Sequence, residues 1–183
     1  YNVIGIFQES DFTWQNDSDP TIPVDERNYQ LKSGIPTQAE NPRPGDLRFE
    51  DISGPDGKPD GVIDMDYDRK IIGKQFPDLT YSLTLGAEYK GFDMNLFFHG
   101  VTGRDLYNCG AMVVPFANDN GNVWADMVDS RWTYENKSNT NPRLFNDNTR
   151  MNIRSNYYLQ DASFLRLKNI EIGYSLPQKV LQK

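Results

Sequence analysis

The sequence contains few of the residue types on which most catalytic sites depend. Among its 183 residues there is one cysteine, Cys109, and one histidine, His99. A single cysteine excludes an internal disulfide. A Ser–His–Asp or Cys–His site would have to use His99, and no nucleophile motif surrounds it, so we expect a strand residue that points to a polar face. This argues against both kinds of nucleophilic site, and we expect a protein that is not an enzyme.

Basic charge and long apolar runs are also scarce. The chain carries 19 Lys and Arg against 26 Asp and Glu, which gives a formal net charge of −7. This balance argues against nucleic acid as a partner, because phosphates need a basic surface. No apolar run approaches the roughly 20 residues of a transmembrane helix. A membrane-spanning β-barrel stays compatible with that observation, because its lipid-facing side chains recur only at every second position.

Alternating strands are the clearest pattern that is present, in a chain with an aromatic content of 13%. From Leu79 to Tyr89, apolar residues occupy the odd positions, and the even positions are mostly small and polar. Lys90–Gly91 then predicts a two-residue turn, and the alternation that follows it completes a β-hairpin. The last strand changes phase near Lys168–Asn169, which predicts a β-bulge. The expected strands cover about 1–8, 79–89, 92–101 and 163–176.

Two long connections separate these strands, at about 9–78 and 102–160. Eight of the eleven prolines lie between Pro20 and Pro77, which excludes an interior strand or a long helix there. One short helix is expected within 123–132, capped by Asn122. Strands of about 9–11 residues with one short turn and long flanking loops are typical of outer-membrane barrels. This pattern predicts an all-β chain of antiparallel transmembrane β-barrel strands with long extracellular loops, and the alternative is a half-buried hairpin on a soluble core.

Six segments of the chain follow one another in an order that is specific in combination. They are GIFQ at 5–8, PGDLRFEDISGPDGKPDGVID at 44–64, DRKIIGKQFPDLTYSLTLGAEYKGFDMNLFFHGVTGRDLYN at 68–108, DSRWTYEN at 129–136, NPRL at 141–144 and SFLRLKNIEIGYSLP at 163–177. In this order they resemble the C-terminal part of the SusC/RagA-like TonB-linked outer-membrane transporters. The chain departs from the family where ISGPDGKP separates Asp51 from Asp60, and where Tyr134 stands in place of a common proline.

The resemblance implies a fragment of a 22-stranded barrel with an internal plug, in the outer membrane of a Gram-negative bacterium. Such transporters import glycans or peptides together with a SusD-like surface lipoprotein. The TonB system drives them through an N-terminal part, and we expect that part, the plug and the remainder of the barrel to lie outside this sequence. The implied topology places the two long loops outside the cell, and Lys90–Gly91 and Pro177 at periplasmic turns.

An acidic stretch from Asp51 to Asp68 predicts a calcium loop. Its aspartates alternate with glycines, and Gly61 stands where an EF-type loop bends. Lys58 occupies a position where such a loop carries a ligand, and no acid stands at the twelfth position. The alternative is an acidic turn in which Asp and Gly serve the turn geometry. The predicted calcium ligands are Asp51, Asp56, Asp60, Asp64 and Asp66.

Three aromatic residues of the second long loop are candidates for contacts with a substrate or partner, namely Trp124, Trp132 and Tyr134. Trp124 and Trp132 could instead anchor the helix of that loop. Two other functions stay open at this point. A secreted carbohydrate-binding β-sandwich with a calcium loop explains the acidic stretch but not the eleven-residue strands. A glycoside hydrolase has only the abundance of carboxylates in its favour.

Overall fold

The computed structural model describes residues 1–14, 21, 23, 27–38, 41–110, 123–144 and 153–177. The chain folds as two units. The loop unit consists of Tyr1–Ile72 and Asn108–Leu159, and the sheet unit of Gly73–Tyr107 and Gln160–Lys183. Strands dominate the regular structure, so the expected all-β class is confirmed. The described part of the chain holds no helix with the length and apolarity needed to cross a bilayer.

Three pairs of very short strands organise the first part of the loop unit. The strands are β1 (Val3–Ile6), β2 (Phe12–Trp14), β3 (Tyr29–Leu31), β4 (Thr37–Gln38), β5 (Leu47–Phe49) and β6 (Val62–Ile63). The pairs β1–β5 and β2–β3 are antiparallel, whereas β4–β6 is parallel. Frequent prolines favour such short elements, because a proline donates no backbone hydrogen bond to a neighbouring strand.

Short helices complete the loop unit. Among the helices whose full range the structure describes, two 3-10 turns cover Glu9–Asp11 and Asn156–Tyr158, and an α-helix covers Ala125–Ser130. The helix predicted within 123–132 is therefore confirmed, although it is shorter than that range. Trp124 occupies its N-cap position in an extended conformation. The expected cap, Asn122, lies outside the described residues.

Aromatic side chains form the core of the loop unit. Phe7, Phe12 and Tyr29 make one buried cluster, in which Phe12 contacts the other two rings edge to face at centroid distances of 5.4 and 5.7 Å. Each fully buried side chain of this size stabilises the fold by roughly 1.5–3 kcal/mol. Other buried apolar residues that the structure describes in this unit are Ile6, Leu47, Phe49, Ile63, Met127, Trp132 and Tyr158.

The sheet unit is built on three long antiparallel strands. β7 (Leu79–Tyr89), β8 (Phe92–Thr102) and β11 (Phe164–Tyr174) have 11 residues each and lie in the order β11-β8-β7. Two short strands, β9 (Asp105–Tyr107) and β10 (Leu159–Asp161), pair with each other. The predicted hairpin turn between β7 and β8 is confirmed: Lys90 and Gly91 have φ of 50° and 89°, the left-handed pair that a type I′ turn requires.

A β-bulge adjusts the register of β11. Leu167 lies opposite Phe98, whereas Asn169 lies opposite Phe97, so Lys168 is the extra residue. The predicted bulge is confirmed. Without it, Ile170 would point to the face opposite that of Leu167, because side chains alternate along a strand. The bulge therefore brings the apolar residues of both halves of β11 to a single face.

Candidate functional site

One face of the three-stranded sheet is apolar along its whole length. Leu83 lies opposite Phe98, which in turn lies opposite Leu167. Much of this face is exposed: the exposed fraction is 53% for Leu83 and 73% for Ile172. Soluble monomers rarely leave so extensive an apolar patch in water, so this face is suited to an apolar environment. We define the apolar face as Leu79, Tyr81, Leu83, Leu85, Ala87 and Tyr89 of β7, Phe92, Met94, Leu96 and Phe98 of β8, and Leu165, Leu167, Ile170, Ile172 and Tyr174 of β11.

The height of the apolar face follows from the strand length. Eleven residues at about 3.3 Å per residue extend over about 36 Å. A strand that is tilted by about 45° then rises about 26 Å, which is close to the apolar band of an outer-membrane barrel. The three long strands therefore have the dimensions of strands that cross a bilayer.

Aromatic residues border the apolar face at the end with the short turn. Tyr89, Phe92 and Tyr174 lie side by side on the three strands, and the rings of Phe92 and Tyr174 are 4.5 Å apart. The ammonium group of Lys90 lies 5.1 Å from the centroid of the Tyr89 ring. An aromatic row with a nearby cation is the composition that membrane proteins place at the lipid–water interface.

Tyr81 occupies a corresponding position toward the other end of the apolar face. Its ring lies over Gly100, and a Cβ atom at Gly100 would collide with it. The missing side chain of Gly100 therefore provides the space in which the tyrosine packs against the sheet.

The opposite face of the sheet is mainly polar. His99 lies between Ser82 and Arg166 in the strand register, as expected for a strand residue on a polar face. Among the described residues, Asn95 Oδ1 and His99 Nδ1 are buried atoms without a hydrogen-bond partner. The sheet thus separates an apolar side from a side that offers hydrogen-bonding groups. Other polar residues of this face are Thr80, Thr84, Glu88, Asp93, Asn169 and Glu171.

The acidic stretch of the loop unit is organised by a residue that the sequence did not single out, Asp68. Its side chain is 0% exposed. Asp68 Oδ1 accepts hydrogen bonds from the backbone N–H groups of Ile52 and Ser53 at 2.7 and 3.2 Å, and its Oδ2 accepts one from Asp64 N at 2.8 Å. A single carboxylate therefore fixes both ends of the stretch. Asp68 closes the run of aspartates, but no spacing rule distinguishes it from its neighbours.

The predicted calcium ligands mostly accept hydrogen bonds from the same stretch of backbone. Asp51 Oδ2 accepts from Gly61 N at 2.8 Å, and Asp60 Oδ1 accepts from Val62 N at 2.9 Å. Such contacts are the ones that Asp makes in acidic turns. A Cβ atom at Gly54 would lie only 2.6 Å from Asp60 Oδ2, so Gly54 permits this conformation.

Two other predicted ligands, Asp64 and Asp66, lie further along the stretch, and the fifth is Asp56. Asp64 Oδ1 accepts hydrogen bonds from the backbone N–H groups of Asp66 and Tyr67 at 2.8 and 2.9 Å, while Asp56 is exposed. Within the described ranges, no group of three or more His, Cys, Asp or Glu side chains is arranged to hold a metal ion. The ligand set Asp51, Asp56, Asp60, Asp64 and Asp66 stays a prediction.

The three aromatic candidates of the second loop have different environments. Trp132 is only 2% exposed, and its indole Nε1 donates a hydrogen bond to Gln8 Oε1 at 2.9 Å. Tyr134 contacts the Trp132 ring edge to face at 4.9 Å, and its hydroxyl lies 3.0 Å from that of Tyr29. Burial and this hydroxyl contact raise the pKa of Tyr134. Trp124 is 47% exposed, so it offers the largest accessible ring of the three.

An ion pair between a buried aspartate and a half-buried arginine joins the two long loops near Trp132. Arg143 Nε donates a hydrogen bond to the buried Asp46 Oδ1 at 2.6 Å, and Arg143 N donates to Gly45 O at 2.9 Å. Gly45 has a φ of 90°, and a Cβ atom there would lie 2.6 Å from the Trp132 ring. Two of the segments that carry the sequence resemblance, 44–64 and 141–144, therefore meet in the loop unit.

Comparison with known proteins identifies relatives of one kind. No family model matches the chain. TonB-dependent receptor P3 of Formosa agariphila is 35% identical over 150 residues, which are 82% of this chain and 14% of that protein. TonB-dependent receptor P26 of the same organism is 29% identical over 73% of the chain and 13% of its own length. TonB-dependent receptor SusC of Bacteroides thetaiotaomicron is 29% identical over 74% of the chain and 12% of its own length.

These similarities agree with the geometry of the two units. Long antiparallel strands with one apolar and one polar face, joined to extensive loops, define an all-β protein of the outer-membrane type. The chain belongs to the SusC-like TonB-dependent receptors. It spans about one seventh of the length of the relatives that it matches.

Proposed function

We propose that this chain forms part of the barrel wall and surface loops of an outer-membrane transporter of a Gram-negative bacterium. The transporter imports glycans or peptides, and it works with a SusD-like surface lipoprotein and the TonB system. A plug and the remainder of the barrel complete the transporter. The observation that carries this proposal is the exposed apolar face of the sheet, about 26 Å high in the tilted orientation of a barrel strand.

The two faces of the sheet support a place in a barrel wall. The apolar face, with its aromatic row at the turn, suits contact with lipid. The polar face, which carries Asn95 and His99, suits a wet lumen or a plug surface. A soluble β-sandwich would instead need a second sheet against the apolar face, and most side chains of that face are exposed.

The loop unit supports a position outside the cell. The two long loops fold together through the Asp46–Arg143 ion pair and the Trp132–Gln8 hydrogen bond. Outer-membrane barrels carry their long connections on the extracellular side and short turns such as Lys90–Gly91 on the periplasmic side. A folded unit of this kind offers a surface to which a lipoprotein lid could bind.

Gene deletion combined with uptake measurements tests the proposed function. Cells that lack the full-length receptor should lose growth on one class of oligosaccharides or peptides as the carbon source. The receptor gene should restore growth only when TonB is present. The SusD-like lipoprotein should co-purify with the receptor after mild detergent extraction. Unchanged growth of the deletion strain on every glycan and peptide mixture offered would refute the transport proposal.

Protease accessibility tests the orientation. Protease added to intact cells should cut within the loop 102–160, either directly or once the lid lipoprotein has been removed. Cleavage at this loop that requires a permeabilised outer membrane would place it on the periplasmic side and reverse the proposed orientation.

A further inference from the structure

The polar face of the sheet carries half-buried aromatic side chains in the half that is remote from the short turn. Phe97 lies between Asn95 and His99 on this face of β8, and Phe164 of β11 lies opposite Val101. The rings of Phe164 and His99 are 5.7 Å apart. Apolar rings surrounded by polar groups are typical of surfaces that pack against another protein, whereas a face that meets only water gains no stability from them.

The half of the polar face next to the short turn contains a groove of about 510 Å³ that is lined by three carboxylates. Glu88 lies directly opposite Asp93 in the strand register, and Glu171 lies opposite Asn95. The Asp93 carboxylate lies over Gly173, where a Cβ atom would be only 2.5 Å from both of its oxygens. The missing side chain of Gly173 therefore lets Asp93 reach across the face toward β11.

These carboxylates have no cationic partner within the described part of the chain. None of Glu88, Asp93 and Glu171 forms an ion pair with a described residue. The ammonium group of Lys90, at the adjacent turn, lies 5.1 Å from the centroid of the Tyr89 ring of the apolar face. Like charges directly opposite each other destabilise a sheet. An occupant of this groove must therefore supply positive charge.

The occupant must also supply hydrogen-bond donors. Asn95 lines the groove, and its Oδ1 atom is buried without a hydrogen-bond partner among the described residues. Glu171 Oε1 accepts one hydrogen bond, from Asn169 Nδ2 at 2.7 Å. A buried acceptor without a donor destabilises the structure. An arginine side chain meets both requirements, because its guanidinium group is always charged and pairs with carboxylates through several N–H donors.

We propose that the polar face is a docking surface for the plug, with arginine side chains of the plug bound between Glu88, Asp93 and Glu171. Apolar side chains of the plug then pack against Phe97 and Phe164. A transported substrate would cover these rings only in passing, whereas a plug covers them permanently. The inference rests on the proposed function, because it requires that this sheet belong to a barrel wall around a plug.

Photocrosslinking in the full-length receptor tests whether the plug covers this face. Benzoylphenylalanine in place of Phe97 should crosslink to a segment of the plug that contains an arginine or lysine, which mass spectrometry of the purified receptor identifies. Phe98 is the matched control, because the neighbouring phenylalanine lies on the apolar face. The same probe at Phe98 should react with lipid or detergent and not with the plug.

Removal of the three negative charges tests the contact itself. The combined variant Glu88→Gln, Asp93→Asn and Glu171→Gln should raise the hydrogen-exchange rate of the crosslinked plug segment at least about tenfold, because charge-assisted hydrogen bonds are lost. Glu135→Gln, which removes an exposed carboxylate of the loop unit, should leave that rate unchanged. Replacement of the plug's arginine or lysine by glutamine should give the same increase, and its addition to the combined variant should give no further increase.

Three outcomes would overturn the inference. A probe at Phe97 that reacts with lipid, or with no segment of the plug, would show that the plug does not cover this face. Unchanged exchange in the combined variant would show that the carboxylates do not hold the plug. Protection that requires added Ca²⁺ or Mg²⁺ would assign the groove to a metal ion.

Growth measurements distinguish these failures from failure of the proposed function. If the receptor is needed for growth but the probe at Phe97 does not reach the plug, only the docking assignment is wrong. The crosslinking experiment keeps all three carboxylates, so it decides the question even if the combined variant fails to assemble.

Discussion

The two units of this chain treat their apolar residues in opposite ways. The loop unit buries Phe7, Phe12 and Trp132 in a core of its own, as water-soluble domains do. The sheet unit leaves Leu83 and Ile172 exposed on a continuous face. The loop unit buries its apolar side chains through its own contacts, whereas the apolar face of the sheet is left largely uncovered by the residues that the structure describes. The comparison teaches that packing within the unit accounts for burial in the loop unit and not for the apolar face of the sheet unit.

Deletion of Glu171 should have the largest effect, because it shifts the residues that follow it in β11 by one position. Ile172 and Tyr174 would then turn to the polar face, since side chains alternate along a strand. We expect the full-length receptor to fail to assemble, which heat-modifiable gel mobility of outer-membrane fractions would detect. Deletion of Lys168 also removes one residue, but it removes the extra residue of the bulge and leaves the apolar side chains in regular alternation, so that variant should assemble. Normal assembly of the Glu171 deletion variant would show that the register of this strand is not fixed by the apolar face.

Replacement of Trp132 by Ala should have the largest effect within the loop unit. It should destabilise this unit by about 3–5 kcal/mol, as is usual when a large buried aromatic side chain is lost. Hydrogen exchange of the backbone amides of Gln8, Gly45 and Arg143, which surround the indole, measures the effect. Trp124→Ala, at an exposed tryptophan of the same loop, should change their stability by less than about 0.5 kcal/mol. Equal effects of the two replacements would contradict the separate roles of these tryptophans.

Arginine substitutions on β7 test whether the two faces of the sheet differ in their surroundings. Leu83→Arg should destabilise the receptor in lipid vesicles by about 2–4 kcal/mol, because the side chain would lie near the middle of the bilayer. Thr84→Arg places the same charge on the polar face and should be tolerated. Denaturant titration of the receptor in vesicles compares the two. If the two variants lose the same stability, the lipid-facing assignment is wrong.

Substitution of Asp68 should affect the acidic stretch more than substitution of any predicted calcium ligand. Asp68→Ala leaves three backbone N–H groups without their acceptor, at a cost of about 1–3 kcal/mol, whereas the exposed Asp56→Ala should cost less than about 0.5 kcal/mol. Hydrogen exchange of the amides of Ile52 and Ser53 measures this loss of stability.

Calcium should slow hydrogen exchange in the acidic stretch if the predicted ligands bind it. Amides 57–63 should then exchange more slowly with calcium than with chelator, and Asp60→Ala should abolish that difference. No difference between calcium and chelator in the wild type would refute the calcium prediction.

Alkaline pH should have the smallest effect, confined to the loop unit. Burial raises the pKa of Tyr157 to about 12 from a usual value near 10. Between about pH 10 and 12 the unfolded chain loses this proton while the folded chain retains it, so stability should fall as pH rises through that window. The fall should be smaller in Tyr157→Phe, and tyrosinate absorbance of the folded receptor would report the titration. Ionisation of Tyr157 near pH 10 would contradict the predicted shift.

Local patterns in the sequence were sufficient to predict the hairpin, the bulge and the short helix. Alternation from Leu79 to Tyr89 predicts a two-faced strand, Lys90–Gly91 predicts the turn, and the change of phase near Lys168–Asn169 predicts the extra residue. These features depend on residues that are close in sequence. Asp68 and the Asp46–Arg143 pair were not predicted, because their partners are brought together only by folding of the two long loops.

The sequence by itself determined the family resemblance, the all-β class and the composition of each face of the long strands, since strand periodicity is a property of the backbone. Only the tertiary structure decided which carboxylate is buried, which tryptophan is packed inside and which faces water. It also decided that the acidic side chains accept backbone hydrogen bonds within their own stretch. The physical reason is that burial and hydrogen bonding depend on groups that are distant in sequence, such as Gln8 and Trp132. No local pattern shows which of these groups come into contact when the chain folds.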